Sequence, residues 1–492
     1  MKILKKIEKE DRIIIISTLI LGLINFFYLL THHVLSPDGL AYGPIYKSNG
    51  WELDLGRPLL LLIDRLRGGL VSPPIIMFLS LILISISITI IRRIFNIKNN
   101  TTLLLLTAIV VLFPTLSESA LFIYCFDSYS LALLCSVLGL FFIKEEKPIP
   151  AIISIICSLS LYQAYISVTL SGVFALYIIE LLNNKNNWKK FINNIIIVFL
   201  GLLSYFLLLK TGMFILGRQM ASYKGANSFG IDTILSLPNS ILNAYKDYFS
   251  FFFQENIIFN KYFLRHILNI LIYISFFITI FFQRKNISKI NIIFLVVTII
   301  LYPITTNIMD LIACTTTINL VTGIGFVMFY ILFLSLIEKH TKYKPITVGS
   351  LILIGFLSYT YLLSNNGTFM AREDTYNHYY KESISVLLKA QQLDNYSKDL
   401  PWMFSDIYRY QSQLIKTSNG YLSKDYETYD NYYGIEETLI FFDHYLGERI
   451  NIIDIDKYHE IGKTKEFEKM KLGEVKIIDS IIVVKNSEKI PF

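Results

Sequence analysis

Eleven long apolar runs constrain this chain more than any other feature in it. They cover residues 13–35, 73–91, 101–116, 127–143, 149–161, 165–182, 191–210, 264–282, 290–306, 318–337 and 346–363. About 20 apolar residues wound as a helix cross a bilayer. A spanning helix also satisfies its own backbone hydrogen bonds where no water can reach them. The runs therefore predict a polytopic α-helical membrane protein with about eleven transmembrane helices. Only 17% of the 492 residues are charged, against about 25% in soluble chains. That deficit ends near residue 363. The expected organisation is a membrane domain over 1–363 and a small, soluble α/β domain over 364–492.

The shortest run, 149–161, is separated from the next only by Tyr162-Gln163-Ala164-Tyr165. Charge decides whether the two are one helix or two. With the N-terminus in the cytoplasm and eleven spans, every inner loop is basic: Arg92, Arg93 and Lys98; Lys144 and Lys147; Lys185, Lys189 and Lys190; Arg284, Lys285 and Lys289; Lys339, Lys342 and Lys344. The short outer loops at 117–126, 162–165 and 307–317 hold no Lys or Arg. This is the positive-inside pattern, and merging the two runs would invert it downstream. The reading is a multi-pass protein of the plasma membrane whose 364–492 segment is extracytoplasmic. The first run is too long for the apolar core of a signal peptide and has no small-residue cleavage site, so it reads as a retained helix. Heavy use of Ile, Asn and Lys points to an AT-rich, bacterial genome.

The net charge of +7 sits in those inner loops, so nucleic acid is not an expected partner. The four cysteines, Cys125, Cys135, Cys157 and Cys314, form no C-x-x-C pair and imply neither a disulfide framework nor a zinc site. His32 and His33 at the outer end of the first run read as interfacial packing rather than metal ligands. No metal is expected, and no glycine-rich phosphate loop occurs.

Two outer loops, 36–72 and 212–263, are too long to be mere connectors. Each carries an amphipathic stretch, Leu59–Ile63 with Asp64, Arg65 and Arg67, and Ile241–Phe253, of the kind that lies along a membrane surface. The tail predicts a helix near 380–392, strands at 402–404, 450–453, 475–478 and 481–484, and a hairpin turn at Asp479-Ser480. Its Tyr421, Tyr426, Tyr429, Tyr432 and Tyr433 offer faces suited to sugar rings or to the core of a small domain.

Acidic residues beside apolar spans are costly and tend to be functional. Here they gather on the outer side: Asp38 just past the first run, Asp54 next to Arg57, Glu118 and Asp127 around the third and fourth runs, and Asp310 in a later loop. Tyr162 and Gln163 break an outer turn. One reading is sugar transfer. A carboxylate takes the proton of an acceptor hydroxyl, an arginine holds a phosphate, and aromatic rings stack on sugars. The structural alternatives are a turn at Asp38-Gly39, an Asp54–Arg57 ion pair, and a helix N-cap at Asp127. The pattern leaves two classes open, a lipid-linked sugar transferase and a transporter or flippase of lipid-linked saccharides. The spans are nearly free of charge and show no inverted repeat, which favours the enzyme.

Ser36-Pro37-Asp38-Gly39, Gly56-Arg57-Pro58-Leu59, Ser117-Glu118 to Phe126-Asp127, Leu161 to Tyr165 and the ending Glu474 to Lys485 occur in an order that resembles the Gtr-type glucosyltransferases of serotype-converting phages and their bacterial relatives. Those enzymes are similar to the GT-C superfamily. The resemblance implies a hexosyltransferase that takes a hexose, glucose above all, from a polyprenyl phosphate such as undecaprenyl-phosphate glucose. No cofactor beyond that lipid-linked donor is implied, and the acceptor would be a cell-envelope polysaccharide or teichoic acid. It also implies a catalytic base in the first outer loop at Asp38, with Asp54 as the other candidate. Asp54, Arg57, Glu118, Asp127, Tyr162 and Gln163 would bind substrate.

Overall fold

A computed structural model describes residues 8–34, 39, 46, 50–221, 235–253, 263–283, 287–312, 320–339, 344–405 and 435–486. Asp38 and the five tyrosines at 421–433 lie outside the described residues. Among those described, nine helices are long and apolar enough to cross a membrane. Asn100–Val111 and Pro114–Ala120, bent by 45°, make a tenth if the pair is counted as one broken span. Pro114 causes the break, since it lacks an N–H and drives Phe113 into an extended conformation (φ −60°, ψ 130°). The remaining run is the helix Pro148–Leu161, 14 residues long and shorter than a full crossing. The chain is thus a polytopic helical membrane protein.

The first of the two compact units comprises residues 1–30 and 45–366. Its helices are α1 (Lys9–Thr31), α2 (Trp51–Asp54), α3 (Pro58–Leu66), α4 (Pro73–Phe95), α5 (Asn100–Val111), α6 (Pro114–Ala120), α7 (Phe126–Lys144), α8 (Pro148–Leu161), α9 (Ile166–Leu182), α10 (Trp188–Ile215), α11 (Leu237–Phe253), α12 (Phe263–Gln283), α13 (Lys289–Thr306), α14 (Met309–Ile312), α15 (Val327–Lys339) and the first part of α16 (Lys344–Gln391). Local sequence sets their ends. Proline at the first helical turn opens α3, α4, α6 and α8, where its fixed φ suits the helix and no N–H is missed. Asn99 caps α5 by accepting from the Thr101 and Thr102 amides.

Helix α9 is covered on nearly all sides, whereas α10 turns most of its surface outward, as a helix at the rim of a bundle in lipid does. Small residues allow the close crossings that packing in lipid relies on. At Gly172 the Leu140 side chain fills the space a Cβ would need. At Gly325 a Cβ would collide with the Thr306 carbonyl oxygen and lie 2.7 Å from Ser167. Polar ties add direction. Asn365 donates to Asn25 Oδ1 (3.1 Å) and to the Leu112 carbonyl (2.9 Å), and Asn25 donates to Ser117 (3.0 Å).

The second unit comprises residues 31–44 and 367–492. It contains β1 (Trp402–Phe404), α17 (Ile435–Leu446), α18 (Ile455–Gly462), α19 (Lys465–Lys469), β2 (Val475–Ile478) and β3 (Ile481–Val484). The sheet order is β1-β3-β2. Strand β3 runs parallel to β1 and antiparallel to β2. Asp479 and Ser480 take left-handed φ values of 48° and 64° and form the tight hairpin turn expected there. The stretch 450–453 contributes a single bridge, Ile452 to Trp402, and no strand. Helix α16 runs unbroken from 344 to 391, so the separate helix expected at 380–392 is its end. His33 stacks on Tyr376 of the same unit at 5.2 Å.

Candidate active site

The polar break at 162–165 is the scaffold of the site. Helix α8 ends at Leu161, Tyr162 is extended (φ −158°, ψ 114°), and Gln163–Tyr165 makes a 3-10 turn that leads into α9. This turn presents Tyr162 and Gln163 to the first long loop. Arg57 is the N-cap of α3. Its guanidinium lies over the Tyr162 ring, 4.6 Å from the centroid, and its Nε donates to Gln163 Oε1 at 3.3 Å. Tyr162 in turn packs on Tyr129 at 4.5 Å. The Gln163 amide nitrogen donates to the Leu55 carbonyl (2.7 Å) and contacts Tyr205 Oη (3.1 Å), and Tyr205 Oη donates to the Gly56 carbonyl (2.6 Å). Three of the residues singled out in the sequence, Arg57, Tyr162 and Gln163, therefore meet.

Among the described residues, Arg57 has no carboxylate within ion-pair distance. Glu52 lies close enough to act on Arg57 through its field but makes no ion pair with it, so the half-buried guanidinium, held by a ring face and an amide, keeps capacity for an anion.

The other acids sort differently. Asp127 is buried and accepts from Arg67 Nη1 at 3.0 Å, while Arg67 Nη2 lies 3.8 Å from Asp64. Asp127 is inside α7 rather than at its N-cap, which is Cys125, and Asp127 also accepts from the Ser128 amide at 2.8 Å. Asp54 does not pair with Arg57. Arg218, three residues past the end of α10, takes both of its oxygens at 2.7 and 2.6 Å, and this ion pair holds the carboxyl below its ordinary range. Glu52 is buried, and burial pushes its carboxyl up. Glu118 sits half-buried on α6. His32 accepts from or donates to the Thr31 hydroxyl at 2.9 Å. Among the described residues no group of three His, Cys, Asp or Glu side chains could hold a metal ion.

Sequence reasoning missed Tyr205 and Arg218 as members of this cluster, and Arg67 as the partner of Asp127. Tyr205 is one aromatic within an apolar run, and Arg218 lies 164 residues from Asp54. Neither carries a local signal. Arg67 was visible only as one charge of an amphipathic stretch.

A bundle of apolar helices with a polar cluster built on an aromatic-bearing helix break, and an arginine over an aromatic ring within it, defines a membrane-embedded protein with a polar site among its spans. Residues 27–328, more than half of the chain, match the family described as Glucosyl transferase GtrII. The chain belongs to that family and is a glycosyltransferase. No curated protein and no solved structure matches it.

Proposed function

We propose that the enzyme takes glucose from a polyprenyl phosphate, undecaprenyl-phosphate glucose in particular, in the outer leaflet of a bacterial plasma membrane and transfers it to a cell-envelope glycan. The acceptor is a wall polysaccharide or teichoic acid. The observation that carries the donor assignment is the Arg57 guanidinium, laid over the Tyr162 ring at 4.6 Å and in no ion pair among the described residues. It has the charge and fork geometry for a phosphate, and it lies over an aromatic ring that fixes its plane. Asp38 is assigned as general base on its place in the first outer loop. It accepts the proton of the acceptor hydroxyl as that oxygen bonds to the anomeric carbon. The bond from the anomeric carbon to the phosphate oxygen breaks, and its electron pair leaves with polyprenyl phosphate, whose charge Arg57 stabilises. Tyr162, Gln163 and Asp127 shape the donor pocket, Asp127 through Arg67. Residues 364–492 are assigned the handling of the polymeric acceptor.

The test is transfer by purified protein in nanodiscs given polyprenyl-phosphate glucose and acceptor, with release of polyprenyl phosphate measured. Arg57→Gln is expected to raise the donor KM by about 10–100-fold, the loss of one charge-assisted phosphate contact. Asp38→Asn is expected to abolish transfer with membrane insertion intact. Transfer from a nucleotide sugar but not from the lipid-linked donor would overturn the donor assignment. Full activity in Asp38→Asn would remove the base.

A further inference from the structure

The turn that carries Arg57 is held at both ends by side chains from distant parts of the chain. It begins at Gly50 (φ 95°) and passes through Gly56 (φ 80°), both in the left-handed region that favours glycine. At Gly56 a Cβ would lie 2.7 Å from Tyr205 Oη and 3.0 Å from Gln163 Nε2. At Gly50 it would lie 2.8 Å from Arg218 Nη1. Between the two glycines, α2 is a single turn closed by the Arg57 amide donating to the Glu52 carbonyl at 2.7 Å. Tyr205 and Gln163 thus fix the Gly56 end. Arg218 holds the Gly50 end. Its fork spans Asp54 Oδ1 and Oδ2 and reaches the Gly50 carbonyl at 3.4 Å. The Ala221 amide adds a bond to the Asp54 carbonyl at 3.0 Å.

We infer that Asp54 and Arg218 are a positioning pair that sets the direction of the 50–57 turn and thereby aims Arg57 at the donor phosphate. This rests on the phosphate role of Arg57. Both Asp54 oxygens are occupied by one guanidinium, so this carboxylate is not poised to take a proton from a hydroxyl. The Arg218 and Asp54 side chains are 38% and 20% exposed, and exposed pairs contribute little stability. Its consequence is geometric. A bidentate fork fixes orientation as well as distance, and a displacement of about 1 Å at a reacting site can cost about 100-fold.

Partial exposure also makes the pair invertible, and the inversion is the test. Asp54→Asn and Arg218→Gln are each expected to raise the donor KM about tenfold with kcat within about twofold. The double variant D54R/R218D is expected to bring KM back to within about threefold of wild type, since the pair is rebuilt with its ends exchanged. In an Arg57→Gln background, Asp54→Asn is expected to add nothing further. Recovery by the exchanged pair supports positioning, because an exchanged pair restores geometry but not a carboxylate at 54. Activity retained in Arg218→Gln but lost in both Asp54→Asn and the exchanged pair would overturn the inference and place Asp54 in the chemistry. Wild-type KM in both single variants, with Arg57→Gln still impaired, would overturn it and leave the phosphate role standing. Wild-type KM in Arg57→Gln would remove the phosphate role, and the positioning role with it.

Discussion

Asp310 shows how far a single residue can be moved from its ordinary chemistry. It lies on α14, 2% exposed. The Asn307 side-chain amide donates to one carboxyl oxygen at 2.5 Å, and the other has no hydrogen-bond partner among the described residues. Burial, with Asp247 adding to it, pushes this carboxyl up to about 8. The acid therefore stays protonated in the folded protein at neutral pH. From its ordinary value of 3.8 up to about 8, the unfolded chain has released this proton and the folded chain has not. The unfolded state binds fewer protons, so stability falls as pH rises through that window. The stabilisation is complete below the lower value and lost above the upper one. Thermal melts in nanodiscs are expected to show a midpoint that falls between about pH 5 and pH 8, and Asp310→Asn is expected to flatten that fall. An identical slope in both proteins would assign the pH dependence to other groups. No sequence pattern carries this property. An aspartate in Ile308-Met309-Asp310 is legible as an acid in a loop, and only packing removes its water.

Among the elements, the tie between α1 and α4 is of a different kind from the contacts around it. Asp11, at the start of α1, accepts from Arg92 at 2.8 and 2.5 Å and from Arg93 at 2.5 Å. Arg92 also reaches Glu8 at 2.6 Å. Asp11 and Arg92 are 2% and 4% exposed. Removing one partner of such a set leaves a buried charge without its counter-ion, which costs about 3–5 kcal/mol. Asp11→Ala is thus expected to lower the unfolding midpoint clearly. Lys190→Ala, which breaks the exposed Lys190–Glu146 pair, is expected to leave it where it is. The two arginines were legible in the sequence as an inner-loop topology signal. Their second use, joining two helices 81 residues apart, follows from the packing of α1 beside α4.

At the scale of the whole molecule, orientation is the property from which the proposed site follows. If the basic loops are cytoplasmic, the Arg57 turn and the helix break at 162–165 face outward, where the proposed lipid-linked donor and envelope glycan would meet. Reporter fusions after Lys98, Lys190 and Lys289 are expected to read cytoplasm, and a fusion after Asn365 is expected to read the outside. A cytoplasmic reading after Asn365 would turn the site to the other face and remove the proposed acceptor class. The unit that follows is small. Its sheet buries Trp402, Ile482 and Val484 in one cluster with Phe442, and Met403, Val483 and Ile481 in another with Phe467. Strands β1 and β3 are buried on both faces, which is why they read as continuous apolar runs rather than alternating ones, whereas β2 keeps Lys476 exposed.

What the sequence by itself determined is whatever depends on hydropathy, charge sign and local turn chemistry. That covers the helical membrane class, the break at Tyr162-Gln163, the hairpin at Asp479-Ser480, and the choice of Arg57, Tyr162, Gln163 and Asp127 as polar residues out of place among apolar spans. These signals lie within a few residues of one another, and water or lipid enforces them locally. Tertiary structure decided which charge meets which. Asp54 stands three residues from Arg57 yet pairs with Arg218, and Asp127 meets Arg67 rather than capping its own helix. Tyr205 leaves an apolar run to bind the Gly56 carbonyl. Partner choice of this kind depends on which helices pack side by side, and at separations of 60 to 164 residues a single sequence carries no record of it.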